Sequence, residues 1–269
     1  MKSIKRIAGD TILLVIASCM MVPFVYMVMT SLKVTYTAYN FDFSLSDITF
    51  RNYINIFRNH NFMHYFFNST FIALGGVILN VLFSSLAGFA FAKKDFPGNE
   101  KIFFFMIMTL IIPSQVTMIP LYIIMKYLGW INTYYALILP IPTAFGVFLM
   151  RQAILNIPND LIESARIDGC SDIRIFFQIV LPLIKPAIIT LSIFTFVGAW
   201  NEFLWPLIMT TNDSVRTLTV GLSTLNAQYT VNYGLVMAGA TLTFLPSFIF
   251  YLILQKKFVE GVTLSGIKG

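Results

Sequence analysis

Few residues in this sequence combine a reactive type with a spacing that supports chemistry. His60 and His64 stand four residues apart, so on a helix both imidazoles would share one face and could hold a metal ion. No cysteine or pair of acids lies near them in the sequence, and we favour an ordinary polar role. The patterns GxxxxGK(S/T), GxSxG, HExxH and CxxC do not occur in the sequence. We therefore predict that the chain binds no metal or cofactor and is not an enzyme.

Charged residues concentrate in one stretch, ESARIDGCSDIRIFFQIVLP, from Glu163 to Pro182. Elsewhere the chain is apolar: 57% of its 269 residues are hydrophobic and 11% are charged, whereas soluble domains carry about 25% charged residues. So much apolar surface indicates a lipid environment. The two cysteines, Cys19 and Cys170, lie far apart in the sequence, and no disulfide is predicted.

Six apolar stretches reach the length of about 20 residues that a membrane span needs. They predict an all-α, polytopic membrane protein with six transmembrane helices. The predicted spans are Thr11–Leu32, Phe67–Ala92, Ile102–Met125, Tyr134–Leu155, Pro186–Met209 and Leu235–Leu254. The first is longer than the apolar region of a signal peptide, which has about 7–15 residues, and we expect it to be retained.

Lys and Arg residues are distributed unevenly between the two sides of these spans. Thirteen fall on the side of both termini and five fall on the other side. Because basic residues favour the cytoplasmic side of a cell membrane, we expect both termini and the charged stretch to lie in the cytoplasm. The net charge of +6 is explained by this orientation, and no nucleic-acid partner is expected.

The connection Asn156–Lys185, which we call the charged loop, is predicted to have its own order. Pro158–Asp160 indicates the start of a first helix, and Gly169 suits its left-handed C-terminal stop. Ser171 is the predicted N-cap of a second helix. The apolar residues expected on one face of that helix are Ile173, Phe176, Phe177 and Val180. The charged loop is thus a helix–Gly–helix element.

Spacing leaves two interpretations of the charged loop open. It could lie on its own bundle, with Glu163 and Arg166 merely paired, or it could dock a soluble partner. A resemblance favours docking, because the loop resembles the signature E-A-A-x3-G-x9-I-x-L-P of the inner-membrane permeases of binding-protein-dependent ABC importers. The matching residues are Glu163-Ser164-Ala165, Gly169, Ile179, Leu181 and Pro182, with serine in place of the middle alanine.

Further stretches resemble the carbohydrate branch of these permeases, of the maltose-permease type, so that the resemblance covers nearly the whole chain. They are NYINIFRNHNFMHYFFNST (Asn52–Thr70), IIPSQVTMIPLY (Ile111–Tyr122), FTFVGAWNEFLWPLIM (Phe194–Met209) and KKFVEGVTLSGIKG (Lys256–Gly269). The resemblance implies a permease subunit of a sugar importer in the cell membrane. It also implies a second homologous permease chain, two ATPase subunits that bind ATP and Mg²⁺, and an external solute-binding protein.

In such importers the loop is similar to a ball in a socket on the cytoplasmic ATPase. Closure of the two ATPase subunits on ATP moves the socket, and the membrane helices rock from inward-facing to outward-facing. A rigid loop is required, because a flexible one would dissipate the displacement. The coupling residues that the resemblance implies are Glu163, Ala165, Arg166, Asp168, Gly169 and Pro182.

Four predicted spans carry a polar residue at a similar depth, about 20–24 Å from their cytoplasmic ends at about 1.5 Å per residue. These residues are Asn80, Gln115, Glu202 and Thr243. Each could line a substrate path, with Asn201 beside Glu202, or could bond to a neighbouring helix. An acid within a span costs about 2.5–3.5 kcal/mol, so we expect Glu202 to face the protein interior. Pro113 and Pro120 predict a break or kink around Gln115.

Aromatic and external residues allow weaker inferences. Trp205 is expected to anchor or pack, whereas Trp200 is left open between packing and stacking on a sugar ring. The resemblance implies that the polar connection Thr210–Gly234 faces the external binding protein, and that the C-terminal tail reaches between the ATPase subunits.

The predicted organisation has three parts: an N-terminal helix with an external segment (residues 1–66), a permease core of five spans (67–257) and a cytoplasmic tail (258–269). A permease for another small solute, such as an amino acid or a polyamine, is the first alternative to a sugar permease. A secondary carrier or a membrane enzyme is the second. The sequence lacks a nucleophile or metal pattern, and a proton-coupled carrier usually needs more than one buried ionisable group, which argues against both.

Overall fold

The computed structural model describes the backbone of residues 2–36, 47–228 and 232–266, and the side chains of residues 9–36, 47–225 and 232–253. All regular structure in these ranges is helical, which confirms the predicted all-α class. The α-helices are α1 (Lys2–Ser31), α2 (Arg51–Asn59), α3 (Phe62–Lys93), α4 (Asn99–Met108), α5 (Ser114–Tyr127), α6 (Tyr134–Ile138), α7 (Ala144–Leu155), α8 (Asn159–Ile167), α9 (Asp172–Ile175), α10 (Leu181–Leu183), α11 (Lys185–Asn201), α12 (Leu204–Met209), α13 (Leu218–Gln228) and α14 (Tyr233–Gly266). A 3-10 turn, Thr109–Ile111, follows α4, and a π-helical turn, Phe176–Val180, joins α9 to α10.

Three helical segments in the described ranges are long and apolar enough to cross a membrane on their own. They are Gly9–Ser31 of α1, Phe62–Lys93 (the whole of α3) and Tyr233–Ile253 of α14. Two bent helix pairs raise the number of candidate spans to five if each pair is counted as one. The polytopic membrane character is therefore confirmed, and the count of six spans stays a prediction.

The predicted span Ile102–Met125 is broken rather than continuous. The segment Asn99–Ile111 and helix α5 meet at an angle of 103°, and the backbone of Ile112 and Pro113 between them is extended. Proline has no amide hydrogen and disfavours a helical conformation of the residue before it. The break predicted from the two prolines is thus present at Pro113, whereas Pro120 lies inside α5.

Two other predicted spans are also interrupted. Tyr134–Leu155 consists of the five-residue α6 and the twelve-residue α7, separated by residues 139–143, which include Pro140 and Pro142. Pro186–Met209 is divided at Glu202, whose backbone is extended with φ −63° and ψ 129°. A continuous helix was the wrong prediction for both, because the prediction used apolar composition, which reports the length of a span and not its continuity. In Tyr134–Leu155 the prolines in the gap are a signal of the break that the prediction did not use.

The interruptions divide this part of the chain into two groups of short helices. Helices α4 and α11 pack against α7, whereas α5 and α6 pack against α12. Helix α3 is continuous over 32 residues and contacts both groups. Its Gly76 lies against Ile141, and its Gly88 approaches Met150 of α7 so closely that a Cβ atom would come within 2.8 Å of the Met150 Cβ.

Segment ends differ from the prediction in two places. Helix α14 continues to Gly266, so the predicted tail (258–269) is helical as far as residue 266, and residues 267–269 lie outside the described residues. The predicted connection Thr210–Gly234 contains α13, and its residues 229–231 also lie outside. Thr, Ser and Gly in α13 lower its helix propensity, but the burial of Val220 and Leu225 compensates for this.

Contacts divide the described chain into two compact units. One comes from Met1–His64 and Gly221–Pro246, and the other from Tyr65–Val220 and Ser247–Gly269. In the first unit the Nδ2 of Asn52 closes the end of α1, because it donates hydrogen bonds to Ser31 O (2.9 Å) and Lys33 O (2.8 Å).

Two apolar clusters form the core of the second unit. One contains Met150, Ile175 and Phe176 and joins the charged loop to α3, α7 and α11. The other contains Ile72 and Trp205 and joins α3 to α5, α6 and α12. The charged loop is therefore part of a packed core and not a loose connection.

Candidate functional site

The charged loop is a helix–Gly–helix element, as its sequence predicts. Helix α8 ends at Ile167, and Gly169 adopts the left-handed conformation with φ +79°. Ser171 caps α9, because its Oγ accepts a hydrogen bond from Arg174 N at 3.4 Å. The turn and the cap together define the direction in which the second helix leaves.

The buried face of the second helix is not the predicted one. Ile175, Phe176 and Val180 are buried, whereas Ile173 and Phe177 are 73% and 53% exposed. Phe177 lies in the π-helical turn Phe176–Val180, in which backbone hydrogen bonds span five residues instead of four, so the regular α-helical pattern assumed in the prediction does not hold there. Ile173 lies in α9, before this turn, and its predicted burial was also wrong.

Helix α8 has one buried and one open face. Ile162 and Ala165 belong to the apolar cluster, and Ile167, at the end of the helix, is 86% exposed. Of the predicted coupling residues, Ala165 is buried. The exposed ones are Glu163, Arg166, Asp168, Gly169 and Pro182.

Lys93 holds the first half of the charged loop. From the sequence, this residue had been assigned to membrane orientation alone. Its Nζ donates hydrogen bonds to Ile157 O and to Asn159 Oδ1, each at 2.6 Å. Asn159 is the first residue of α8. The end of α3 is thus bonded to the start of α8.

Lys94 holds the second half of the charged loop through an ion pair with Asp172, the first residue of α9. The other carboxylate oxygen of Asp172 lies 3.7 Å from Arg166 Nη2, so Arg166 pairs with Asp172 and not with Glu163. The hydrogen bond from Lys94 is the main cause that lowers the pKa of Asp172 from its ordinary value of 3.8. Asp172 is therefore ionised at neutral pH.

A cavity of about 470 Å³ lies in the second unit. Most of its lining is apolar. The polar residues that line it are Asn80, Ser114, Thr117, Thr143, Thr195 and Glu202. Glu202 is the one charged residue among the described residues of the lining.

The interruptions inside three of the predicted spans contribute residues to this cavity. Ser114 follows the break after Pro113, Pro140 and Thr143 lie in the gap between α6 and α7, and Glu202 separates α11 from α12. Non-helical backbone at membrane depth is tolerated where protein buries it or where it lines a cavity that holds water. The cavity is therefore the place where irregular backbone is acceptable.

Asn80 lines the cavity but already uses its amide group. Its Nδ2 donates to Thr195 Oγ1 at 2.8 Å, and its Oδ1 accepts from Ser84 Oγ at 2.9 Å and from Thr143 N at 3.2 Å. The side chain is 2% exposed. Asn80 thus joins α3 to α11 and to the start of α7. Bonding to a neighbouring helix was one of the two alternatives predicted from the sequence for this residue.

Glu202 lines the cavity and is exposed. Its Oε1 accepts a hydrogen bond from Trp205 N at 3.3 Å, and its backbone oxygen accepts one from Thr219 Oγ1 at 2.9 Å. The neighbouring Asn201 donates to Val197 O in its own helix and is not among the lining residues. Two adjacent residues predicted for one path therefore have different surroundings.

Gln115 and Thr243 do not belong to this cavity. Gln115 is exposed, and its Oε1 lies 3.5 Å from Ser114 Oγ. Thr243 is buried in the first unit, where its hydroxyl donates to Gly239 O at 2.9 Å. Of the five predicted path residues, Asn80 and Glu202 thus share one cavity.

The sequence missed four polar lining residues, namely Ser114, Thr117, Thr143 and Thr195. Ser and Thr are common in spans because they can bond to their own helix, so no pattern distinguished them. Trp205 packs, as predicted, with 9% of its surface exposed and its Nε1 donating to Ala136 O at 2.8 Å. Trp200 is 2% exposed and stacks on Phe196 with 5.7 Å between ring centroids.

Residues 211–216, after α12, are fixed by two amide side chains. Asn132 Oδ1 accepts hydrogen bonds from Thr211 N (2.7 Å) and Asn212 N (3.3 Å). Asn68 Nδ2 donates to Ser214 O and Arg216 O. This part of the predicted external connection is an ordered surface.

The histidines do not form part of a metal centre in the described residues, where no group of three or more His, Cys, Asp or Glu side chains could hold an ion. His60 follows α2, and His64 lies in the first turn of α3. Partial burial lowers the pKa of His60 below its ordinary value of 6.5.

The helical fold and the cavity between broken spans are those of a membrane transport protein. The family described as binding-protein-dependent transport system inner membrane component matches residues 80–263, more than half of the chain, and the chain belongs to this family. The predicted permease signature of the charged loop lies within the matched residues.

Individual relatives cover most of the chain. It is 39% identical, over 229 residues, to the arabinooligosaccharides transport system permease protein AraQ of Halalkalibacterium halodurans (84% of this chain, 82% of the relative). It is 35% identical, over 273 residues, to AraQ of Bacillus subtilis (99% and 97%). It is 33% identical, over 241 residues, to the lactose transport system permease protein LacG of Rhizobium radiobacter (89% and 88%).

The fold matches a solved structure over almost its full length. The match is to a chain of a bacterial ABC transporter involved in the import of the acidic polysaccharide alginate, with a TM-score of 0.83 and 24% sequence identity. It covers 95% of this chain and 96% of that chain. At this identity the likeness concerns the fold.

Proposed function

We propose that the chain is the transmembrane permease subunit of an ATP-driven, binding-protein-dependent importer of mono- or oligosaccharides. The observation that carries the proposal is the charged loop, whose inner face belongs to the core while Ile167 at its end is 86% exposed. An anchored element with an open apolar side chain suits docking to a cytoplasmic ATPase. ATP and Mg²⁺ would bind to that partner, and this chain would catalyse no reaction.

The predicted coupling residues of the charged loop have two kinds of role: some would contact the ATPase, and others determine the shape of the loop. Glu163, Arg166 and Asp168 are exposed charged residues near Ile167 in the sequence, and they would set the orientation of docking. Ala165 is small and buried, which lets α8 lie close to the core. Gly169 provides the left-handed turn, and Pro182 lies in α10, before α11 begins.

The cavity suits a sugar in size and chemistry. Its volume of about 470 Å³ lies within the range of about 300–1,000 Å³ for small-molecule sites. The hydroxyls of Ser114, Thr117 and Thr143 can donate and accept hydrogen bonds. The carboxylate of Glu202 can accept from a sugar hydroxyl, and such a charge-assisted bond is stronger than a neutral one.

The names of the relatives support a carbohydrate substrate. Two relatives are named for arabinooligosaccharide transport and one for lactose transport. Their similarity covers at least 84% of this chain. We therefore take a neutral oligosaccharide as the substrate class for the first tests.

The proposed assembly contains a second homologous permease chain, two ATPase subunits and an external solute-binding protein. Both termini and the charged loop would lie in the cytoplasm, and the ordered residues 211–216 would face the binding protein. Residues 1–66 would form the N-terminal helix and external segment, residues 67–257 the permease core and residues 258–269 the cytoplasmic tail.

Reconstitution tests the function directly. The complete assembly in proteoliposomes, given labelled arabinotriose and its binding protein, should accumulate sugar when ATP is supplied on the ATPase side. Accumulation should persist after the sodium and proton gradients are dissipated. Uptake that needs an ion gradient and ignores ATP would identify a secondary carrier instead.

A substitution tests the docking surface. Ile167→Asp should lower recovery of the ATPase subunits with the membrane chain by more than about tenfold, because loss of a central interface residue often costs about 2 kcal/mol or more. Leu128→Asp, at an exposed site between α5 and α6, is the matched control and should recover them normally. Equal recovery from both variants would reject the charged loop as the ATPase site.

A further inference from the structure

Two adjacent lysines at the end of α3 hold the two helices of the charged loop. Lys93 bonds to Asn159 at 2.6 Å, and Lys94 forms the ion pair with Asp172. Asn159 and Asp172 are the first residues of α8 and α9, on either side of the Gly169 turn. The same end of one membrane helix therefore contacts both halves of the element that would meet the ATPase.

The end of α3 is itself held firmly. Asn99 Nδ2 donates to Lys94 O at 2.7 Å, which closes the turn between α3 and α4. Arg151 of α7 donates from Nε to Phe91 O at 3.3 Å and pairs with Glu100. These contacts connect the end of α3 to α4 and α7, so that the charged loop is attached to a braced part of the bundle.

Apolar contacts reinforce the charged ones. The rings of Phe89 in α3 and Phe176 in the charged loop have centroids 5.7 Å apart, and both belong to the same buried cluster. Charged contacts thus specify the register of α3 against the loop, while the buried rings resist separation.

From this end α3 runs without interruption to the cavity. Asn80 lies thirteen residues before Lys93, which is about 20 Å along a helix. There Asn80 bonds to Thr195 of α11 and to Thr143 N at the start of α7. The predicted spans that contribute the other lining segments are interrupted at the cavity, whereas α3 is continuous past it.

We propose that α3 carries the displacement of the charged loop to the cavity, with Lys93 and Lys94 as positioning residues. The Asn80–Thr195 hydrogen bond is the contact through which α3 acts on the cavity. This inference rests on the proposed importer function. It adds a role for Lys93 and Lys94, which were assigned to membrane orientation from the sequence: they would transmit the movement of the charged loop to α3.

Charge reversal tests the ion pair. In the reconstituted assembly, Lys94→Glu and Asp172→Lys should each lower the number of sugar molecules imported per ATP hydrolysed by about fivefold or more, and the double variant should restore it. Lys101→Glu, at an exposed site on α4, is the matched control and should leave the ratio unchanged. The proposal would be overturned if the single variants kept the wild-type ratio of sugar imported to ATP hydrolysed, or if the double variant did not recover that ratio.

Long-range coupling gives an independent test. Substitutions about 20 Å apart normally have additive effects. We expect the effects of Lys94→Glu and Thr195→Val on the import ratio to be non-additive, because both interrupt one path. If the fold-change in the import ratio of the double variant equals the product of the fold-changes of the two single variants, the α3 path is rejected.

The two proposals fail in different ways. If the wild-type assembly shows no ATP-dependent uptake, the importer function is wrong. If it imports sugar with ATP, and Lys94→Glu imports with the same ratio, the importer function stands and the role of α3 is wrong.

Discussion

Among single residues, Glu202 combines a structural contact with an open position. Its Oε1 caps α12 through Trp205 N at 3.3 Å, a long hydrogen bond. A carboxylate has about four acceptor sites, so capacity remains for a ligand in the cavity that it lines. The sequence predicted that this acid faces inward, but it could not show that Asn201, one residue earlier, would bond to its own helix instead.

We expect Glu202→Gln to raise the apparent KM for sugar uptake by about tenfold or more, because a hydrogen bond to a charged group contributes about 1.5–3 kcal/mol. Initial rates in proteoliposomes measure this, and Asn201→Ala is the control that should keep the wild-type KM. An unchanged KM together with a lower thermal unfolding temperature would mean that the carboxylate serves only as a helix cap.

Among elements, the charged loop was the best predicted part of the chain. Its turn at Gly169 and its cap at Ser171 depend on local residues, and both are present. The π-helical turn Phe176–Val180 was not predicted, because no local residue pattern indicates it; its residues Phe176 and Val180 are buried in the apolar cluster. Of the helix breaks, the one at Pro113 was predicted from its prolines. The one at residues 139–143 was missed although Pro140 and Pro142 are the same kind of signal. The one at Glu202 has no proline at the break to indicate it.

Gly169→Ala should lower the number of sugar molecules imported per ATP hydrolysed without preventing membrane insertion. No atom lies within 4 Å of the added Cβ, so the cost is the left-handed backbone, about 1–2 kcal/mol for an L-residue. Gly169→Asn is the matched variant and should be milder, since Asn tolerates this conformation better. Equal effects of the two variants would contradict backbone strain as the cause.

Gly146 sets the distance between α7 and α3. A Cβ at this position would collide with Ser84 Oγ and come within 2.8 Å of Asn80 Oδ1. We expect Gly146→Ala to lower the free energy of unfolding by about 1–3 kcal/mol, measured by thermal unfolding in detergent. Gly198→Ala is the control, because nothing lies within 4 Å of its added Cβ; a similar loss there would show that the contact with α3 is not responsible.

For the whole molecule, composition and one loop signature predicted the membrane environment, the all-α class and the permease family. Those properties depend on total apolar content and on local spacing. The cavity could not be predicted, because Thr143 and Thr195 are brought together with Asn80 only by packing. The division into the α4–α7–α11 and α5–α6–α12 groups likewise depends on contacts between distant segments.

The three helix interruptions at one cavity have a consequence for isotope labelling. Amides inside an unbroken lipid-facing helix are protected from deuterium, whereas Ser114, Ile141, Thr143 and Glu202 line the cavity and lie at or beside the helix interruptions. Their deuterium uptake should rise when ATP analogue binding opens that space, while the interior amides of α3 stay protected over the same minutes. Exchange that is equally slow at all these positions in every state would indicate a permanently dry cavity. Exchange that changes between states would report when water enters the cavity during the transport cycle.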